Sequence, residues 1–550
     1  MWMDVAGVDF EFTSPNDDHV VIYAIDDNCY LCNQVAVNRE NCDRDNEDCT
    51  DLKPNTSYEF TFGTVYHYDI ELRTNNDNAT VLWSTRHKFH DQANYSFTVD
   101  QSDSGNVQGD IVQTGDGTSS TLMTVILVLL LVWPLACFGL FSWRKQKSIP
   151  ATNNELEEQI LPEEQAQAPV KKVRVVCLDV FRGIAIFTMI FVNLGGGGYW
   201  YFTHAAWNGL TFADIVFPFF VWIMGVTMNI STASHLKKGT SLWRMLLDAL
   251  FRAVRLFLLG LVVNDFRSLK HGRIPGVLQS FSFAYFTVSI AIIAGLAWQS
   301  SPWIRRGVEA FIVLAIVLTN LFIVFFLPVE GCPSGYFGPG GNGDGGLYPN
   351  CIGGAHLRVD LAIFGEDFMG SGGTAANVYG TYGPWDPEGF LNWLMVAFMA
   401  YIGYIVGGIF LNENRWVRKT LVLVSIGAVL ALIGLGLAGF KINGGWIPIN
   451  KNLWSLSFVL TVSGLACGVL AIMYLLVDKF AIWGGTPFKE TGMNAIAIYM
   501  GHELLMDHSP FGWDRDASSH TQNTLSNLCG AIFWALVGIW MHKKRIFITV

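Results

Sequence analysis

Charge is scarce in this chain. Lys, Arg, Asp and Glu make up 15% of its 550 residues, where soluble domains carry roughly 25%. That deficit excludes a wholly water-exposed fold. No long basic stripe is present, which argues against a nucleic-acid partner. No Walker phosphate loop, GxSxG elbow or HExxH helix occurs, so P-loop, α/β-hydrolase and zincin chemistry drop out, and no metal is expected. The opening MWMDVAGVDF lacks a basic n-region and an apolar h-region, so a targeting segment is expected to precede it. No internal repeat relates two halves of the sequence, which weighs against a multispan solute transporter, the main rival reading.

What is present is apolar: 51% of residues are hydrophobic. The acidity is local. Before Met123 stand 22 Asp and Glu against 6 Lys and Arg, whereas the remainder holds 24 against 29. The acidic part reads as a small β-sandwich-like domain over 1–120. Its runs VVIYAID, SYEFTFGTVYHYDIEL, TVLWSTRHKF and NYSFTVD are β-branched and aromatic, with Asn/Asp-rich turns between them. QSDSGNVQGDIVQTGDGTSS reads as a polar linker. Sequons at Asn55, Asn78 and Asn94 and the cluster Cys29, Cys32, Cys42 and Cys49 suit a glycosylated, oxidising, lumenal setting. The spacing does not assign the pairing, and the Cys42/Cys49 interval does not suit a zinc pair. Cys332 and Cys351 are candidates for a further disulfide across one long loop.

A membrane span needs roughly 20 apolar residues. Eleven candidates follow: 122–143, 175–195, 211–232, 243–264, 275–298, 304–327, 389–411, 419–440, 453–477, 488–506 and 524–542. The fold class is therefore an α-helical polytopic membrane protein of about 11 helices with a small N-terminal lumenal β domain. The expected division is 1–120, a first transmembrane helix at 121–143, an acidic cytosolic linker at 144–173 and a ten-helix domain over 174–550 with a lumenal loop at 328–388. With the N-terminus lumenal and the C-terminus cytosolic, the cytosolic segments carry 19 Lys and Arg and the lumenal loops after the first span carry 7, as the positive-inside rule asks. EEQIL in the linker resembles an acidic dileucine sorting signal with its acid one position too close.

Polar groups within spans cost free energy and call for reasons. Asp179 and Arg182 stand at i and i+3, so they can pair across one helix face, either as a structural ion pair or as a contact to a polar ligand. Asp248, Arg252 and Arg255 have similar spacing and read as structural. Asn193-LGGGGYWYFTHAAWNG-Leu210 puts four glycines, a cluster of aromatics including Trp200 and Trp207, and a single His204 at one helix end. An aromatic interfacial belt would explain it. Aromatics also stack on sugar rings, and a cleft around a basic or nucleophilic imidazole is the functional alternative. Asp214 begins the next span, where an acid is also an ordinary helix-start residue. Lys451 and Asn452 lie at another helix start, and Asn494, His502 and Glu503 fall in an otherwise apolar span.

The block RVVCLDVFRGIAIFTMIFVNLGGGGYWYFTHAAWNGLTFADIVFPFFVWIMG closely resembles the lysosomal heparan-α-glucosaminide N-acetyltransferase family. So do RIPGVLQ (with Arg273 and Gln279), GCPSGYFGPGGNGDGGLYPNCIGGA, DPEG, INKNLWSLS, GTPFKETGMNAIAIYMGHE and KKRIF, in the same order over about 170–550. Two departures stand out. Ser280 follows RIPGVLQ where the family usually has arginine, and Asn350-Cys-Ile lacks the sequon of that loop. The resemblance implies acetyl transfer from cytosolic acetyl-CoA to the terminal non-reducing α-D-glucosamine of heparan sulfate, in a homodimer of the lysosomal membrane. It puts the active histidine on His204 and its asparagine partner on Asn193. Substrate contacts are expected among Asp179, Arg182, Trp200, Trp207, Asp214, Arg273, Gln279, Lys451, Asn452, Asn494, His502 and Glu503.

Overall fold

The computed structural model describes residues 4–15, 19–37, 51–75, 79–102, 106–117, 175–264, 266, 268, 270–298, 301–370, 373–381, 383–506 and 519–548. The expected first span, the linker after it, Cys42, Cys49 and Asn78 lie outside the described residues.

The N-terminal part is a sandwich of two four-stranded sheets, ordered β4-β1-β7-β8 and β3-β2-β5-β6. The strands are β1 (Val5–Thr13), β2 (Val20–Asp26), β3 (Val35–Ala36), β4 (Ser57–Gly63), β5 (Tyr68–Thr74), β6 (Val81–His87), β7 (Asn94–Gln101) and β8 (Val107–Gln113). Alternation builds the core. Val8, Phe10 and Phe12 of β1 point inward onto Phe60, Phe62, Phe97 and Val99, as a period of two requires. Two readings from sequence are corrected. SYEFTFGTVYHYDIEL is two strands, β4 and β5, and the supposed linker contains β8, paired antiparallel with β7 from Tyr95↔Gln113 to Gln101↔Val107. VQGDIVQ is short and polar, but as an edge strand it buries only part of one face.

The rest is helical: α1 (Val176–Asn193), α2 (Phe212–Lys237), α3 (Leu242–Val263), α4 (Val277–Ala297), α5 (Pro302–Phe326), α6 (Ala355–Ile363), α7 (Thr374–Tyr379), α8 (Phe390–Asn412), α9 (Trp416–Leu437), α10 (Leu456–Met473), α11 (Phe488–Met493), α12 (Ala495–Leu505) and α13 (His520–Lys543). Eight of the described helices are long and apolar enough to cross a membrane, so the count of eleven spans is not confirmed. The expected span at 243–264 is helical as α3 but carries Arg244, Asp248, Arg252 and Arg255. The one at 488–506 is broken at Asn494 (φ −121°, ψ 27°) into α11 and α12. The two most apolar helices, α5 and α9, are also among the least buried. Phe311 and Phe326 of α5 are 73% and 68% exposed, the arrangement expected of lipid-facing surface.

Glycine sets the closest helix contacts. A Cβ at Gly183 of α1 would overlap the Phe488 carbonyl, one at Gly492 the Asp179 carbonyl, and one at Gly225 of α2 the Ala400 carbonyl of α8. Small residues let backbones approach where lipid gives no hydrophobic drive for helices to associate.

The sandwich rests on one end of the bundle. Cys29 is joined to Cys32 and Cys332 to Cys351. The first of these loops packs on the second loop's neighbourhood. Gly345 N donates to Leu31 O at 2.7 Å, Asn33 Nδ2 to Gly345 O at 2.9 Å and Tyr379 Oη to Asn28 O at 3.2 Å. Cys29, Trp207, Tyr379, Trp385 and Leu453 share one small apolar core.

Candidate active site

The site is built where α1 ends against the sandwich side of the bundle. Gly195 to Gly198 all have positive φ, from 57° to 117°, a region glycine enters without penalty. The turn reverses the chain, and Asn527 of α13 holds it by accepting from Gly197 N at 2.8 Å. The aromatic run follows, then His204, then α2. Thr211 and Asp214 form a capping box at the start of α2. This fixes Asp214 at N3, as a short side chain capable of reaching back should be.

His204 Nδ1 lies 2.8 Å from Asp214 Oδ1. Asp214 is 1% exposed, and its Oδ2 accepts from Thr211 N (3.0 Å), Thr211 Oγ1 (2.9 Å) and Ala205 N (3.2 Å). A carboxylate held this way accepts only, so the imidazole presents Nδ1–H to it and keeps the Nε2 lone pair. Lys451 Nζ stands 3.1 Å from Nδ1 and 3.3 Å from Nε2. Withdrawal from water and the Lys451 ammonium hold the His204 imidazole below the usual histidine range, against the pull of Asp214. Lys451 is placed by an asparagine ladder: Asn450 Nδ2 donates to Asn208 Oδ1 (3.0 Å), and Asn208 Nδ2 donates to Asn443 Oδ1 (2.8 Å).

Asn193 is not on His204. Its Nδ2 donates to Glu503 Oε1 at 2.9 Å, while His204 Nδ1–H is given to Asp214 and the ring's Nε2 faces the Lys451 ammonium. Toward the middle of the bundle a cavity of about 190 Å³ lies among α1, α2, α3, α4, α11 and α12. Its wall takes Arg182, Ile186 and Met189 from α1, Phe217, Phe220, Met224 and Thr227 from α2, and Ile496 and Tyr499 from α12. Each set follows helical periodicity. Continued by three or four residues, the α1 stripe reaches Asn193, the α12 stripe Glu503 and the α2 stripe Asp214. His204, Asp214, Lys451, Asn193 and Glu503 do not themselves line the cavity; Asn193, Asp214 and Glu503 stand about one helical turn beyond its lining residues. Arg252 of α3 also lines it, with its guanidinium 4.5 Å over the Tyr285 ring and no hydrogen-bond partner for Nε among the described residues. Sequence reasoning treated Arg252 as structural and left it out of the site.

The remaining candidates are dispersed. Arg182 lies 3.5 Å from Asp179 and 3.4 Å from Gly492 O. Trp200 is 50% exposed, whereas Trp207 is 1% exposed and donates to Phe337 O at 2.7 Å. Arg273 grips Asp386 through Nε and a terminal nitrogen (2.7 and 2.8 Å) and reaches Glu388 at 2.6 Å. Burial raises the Glu388 carboxyl, and Arg273 opposes this. These two acids are the DPEG block, whose acidic pair was the available signal. Gln279 is buried with neither amide atom partnered among the described residues. Asn392 Nδ2 donates to the Asn452 carbonyl at 2.7 Å. Asn494 ties down the C-terminal segment through Ile546 O and Ile548 N, each at 3.1 Å. His502 is buried edge-on to Trp534.

A histidine held by a buried acid and flanked by a lysine, at one end of an apolar bundle with a helix-lined cavity, defines a polytopic membrane protein whose candidate site is this histidine–carboxylate–lysine group. The chain is similar to heparan-alpha-glucosaminide N-acetyltransferase of Homo sapiens, at 39% identity over 390 residues, or 67% of this chain and 59% of that protein. It is similar to the enzyme of the same name from Mus musculus at 38% over 396 residues, or 68% and 60%. The chain thus spans about three fifths of the length of the curated relatives it matches. No family model matches it.

Proposed function

We propose that this chain is a transmembrane N-acetyltransferase that moves the acetyl group of cytosolic acetyl-CoA to the terminal non-reducing α-D-glucosamine of heparan sulfate in the lysosomal lumen. The observation that carries the reading is the Asp214–His204–Lys451 group. The relatives' printed name supplies the reaction class.

The sandwich end of the bundle is taken as lumenal. Exposed sequon residues Asn55 and Asn94 and both described disulfides belong to that end, while the buried thiols Cys177 and Cys467 remain free. Acetyl-CoA carries several charges and cannot cross lipid, so its acyl arm must enter from the other side. The cavity fits such an arm. Its walls are mostly apolar, and Arg182 and Arg252 provide cationic contacts for an ionised carrier. The carrier supplies a thioester, a carbonyl already activated toward an amine. This chain's residues supply the rest. In an acidic lumen the glucosamine amine is protonated and inert. His204, kept neutral by burial and Lys451, removes that proton through Nε2 while Asp214 fixes the tautomer; the freed amine adds to the thioester carbonyl, the C–S bond breaks, and the departing thiolate takes the second amine proton and leaves as the thiol. Lys451 is the donor beside His204 available to a developing oxyanion, and Asn193, given to Glu503, shapes the end of the site from α1. We favour direct attack in a ternary complex over an acetyl-histidine intermediate, and a homodimer as the assembly, the latter on the resemblance alone.

The test is acetyl transfer to a glucosamine acceptor by purified protein in detergent, where no gradient can drive transport. His204→Ala is expected to abolish transfer with the fold intact, and near-normal turnover would overturn the assignment. Recovery of acetylated His204 after incubation with acetyl-CoA alone would establish the two-step route instead.

A further inference from the structure

The first residue of α13 joins three parts of the molecule. His520 Nδ1 lies 2.9 Å from Gly197 O, and Nε2 lies 3.1 Å from Asp4 Oδ1 and 3.5 Å from Asp91 Oδ2. Its ring stacks on Tyr199 with centroids 4.4 Å apart and an interplanar angle of 17°. The side chain is 12% exposed. Asp4 precedes β1 and Asp91 sits between β6 and β7, so both acids belong to the sandwich. Gly197 and Tyr199 belong to the turn that leads to His204.

Both ring nitrogens therefore face acceptors. A neutral imidazole has one N–H and would set its other nitrogen lone pair against an oxygen, whereas an imidazolium donates from both. Among the described residues, the titratable groups facing the ring are the two carboxylates from the sandwich and the stacked Tyr199 phenol from the turn. The turn also needs external restraint. Its four glycines have no side chains to anchor them, so its position is set by what grips its backbone. Asn527 holds the Gly197 N–H, and His520 holds the carbonyl of the same residue.

We infer that His520, as the imidazolium, is a positioning residue: it fastens the β-sandwich to the glycine turn and so fixes the loop that carries His204. The fastening closes in acid and loosens as pH rises past that of a free imidazole, about 6.5. The sandwich then contributes to catalysis at a distance, by making the loop rigid in an acidic compartment. The catalytic consequence rests on the acetyltransferase reading; the fastening itself does not.

The experiment uses the full chain in detergent at pH 5 and pH 7.5. It measures hydrogen-exchange protection of the amides of 194–203, corrected for the intrinsic pH dependence of exchange, with kcat and KM in parallel. Loss of a charge-assisted hydrogen bond predicts that wild-type protection falls about tenfold on going to pH 7.5. His520→Gln and Asp4→Asn should be at the lower level at both values. His520→Lys, a cation at either pH, should keep the higher level at both. At pH 5, His520→Gln should lower kcat at unchanged acceptor KM. Equal protection in wild type and both weakening variants at both pH values overturns the proposal. So does a loss of wild-type protection at pH 5 on removing divalent cations with a chelator, which would make Asp4, Asp91 and His520 a metal site. If wild type transfers no acetyl group, the acetyltransferase reading fails, and the exchange comparison still decides the fastening.

Discussion

Asp214 Oδ1 lies 2.8 Å from His204 Nδ1 across nine intervening residues of loop and helix start, and the acid is 1% exposed beneath the ring. One carboxylate thus caps a helix and orients an imidazole. Asp214→Asn keeps the shape but turns an N–H₂ toward one of its four donors. It is expected to lower kcat by about 10²–10⁴-fold through the wrong tautomer. Thermal unfolding should move little, because asparagine still caps. A kcat within threefold of wild type would remove Asp214 from the catalytic group.

Lys451 makes a second prediction, on pH. His204 is active as the neutral base, and burial with the Lys451 ammonium holds its pKa below the ordinary value. Activity should therefore persist as pH falls until His204 protonates. Lys451→Met removes one of the two lowering causes and leaves Asp214 in place, so the pKa rises. The acid limb of kcat/KM is expected to move up by about one pH unit. An unmoved limb would show that the lysine does not set the imidazole's charge.

Asn193 and Glu503 predict coupling. They stand one turn beyond the cavity-lining residues of α1 and α12 and bond to each other at 2.9 Å. Asn193→Ala is expected to lower kcat about tenfold by loosening that end of the site. Adding Glu503→Gln should cost little more, since neighbours sharing one bond are not additive. Fully additive losses would mean that the two residues act separately.

How legible the site was follows from which contacts a sequence can express. His204 and Asp214 stood in one contiguous block. Lys451 was marked as a polar helix start, but no spacing rule brings a residue 247 positions away onto an imidazole. The Asn193–Glu503 pair spans 310 positions and was equally invisible. Asn193 was paired with His204 on the family resemblance, yet here its side chain bonds to Glu503 of α12. The helices were legible because 20-residue apolar runs are distinctive. The break at Asn494 was not, since the residues around it remain apolar. In the sandwich, β8 was hidden because an edge strand needs only one paired side and little apolar surface.

Asp360 of α6 carries the last prediction, for stability. It is 1% exposed and its Oδ1 accepts from Phe390 N at 2.7 Å. Burial pushes the carboxyl up to about 8, with Asp386 adding repulsion and the Phe390 bond opposing. An unfolded aspartate titrates near 3.9 (about that value in peptides). The folded pKa is the higher one, so the folded state binds the proton more tightly. The stabilising contribution is full below about pH 4 and is lost as pH rises toward about 8. Asp360→Asn keeps the Oδ1 acceptor and cannot ionise. Its melting temperature should match wild type near pH 4 and exceed it by about 2 °C at pH 8. Equal melting temperatures at pH 8 would show that Asp360 is not held protonated. A lower one for the variant would show that its charge is compensated within the loop.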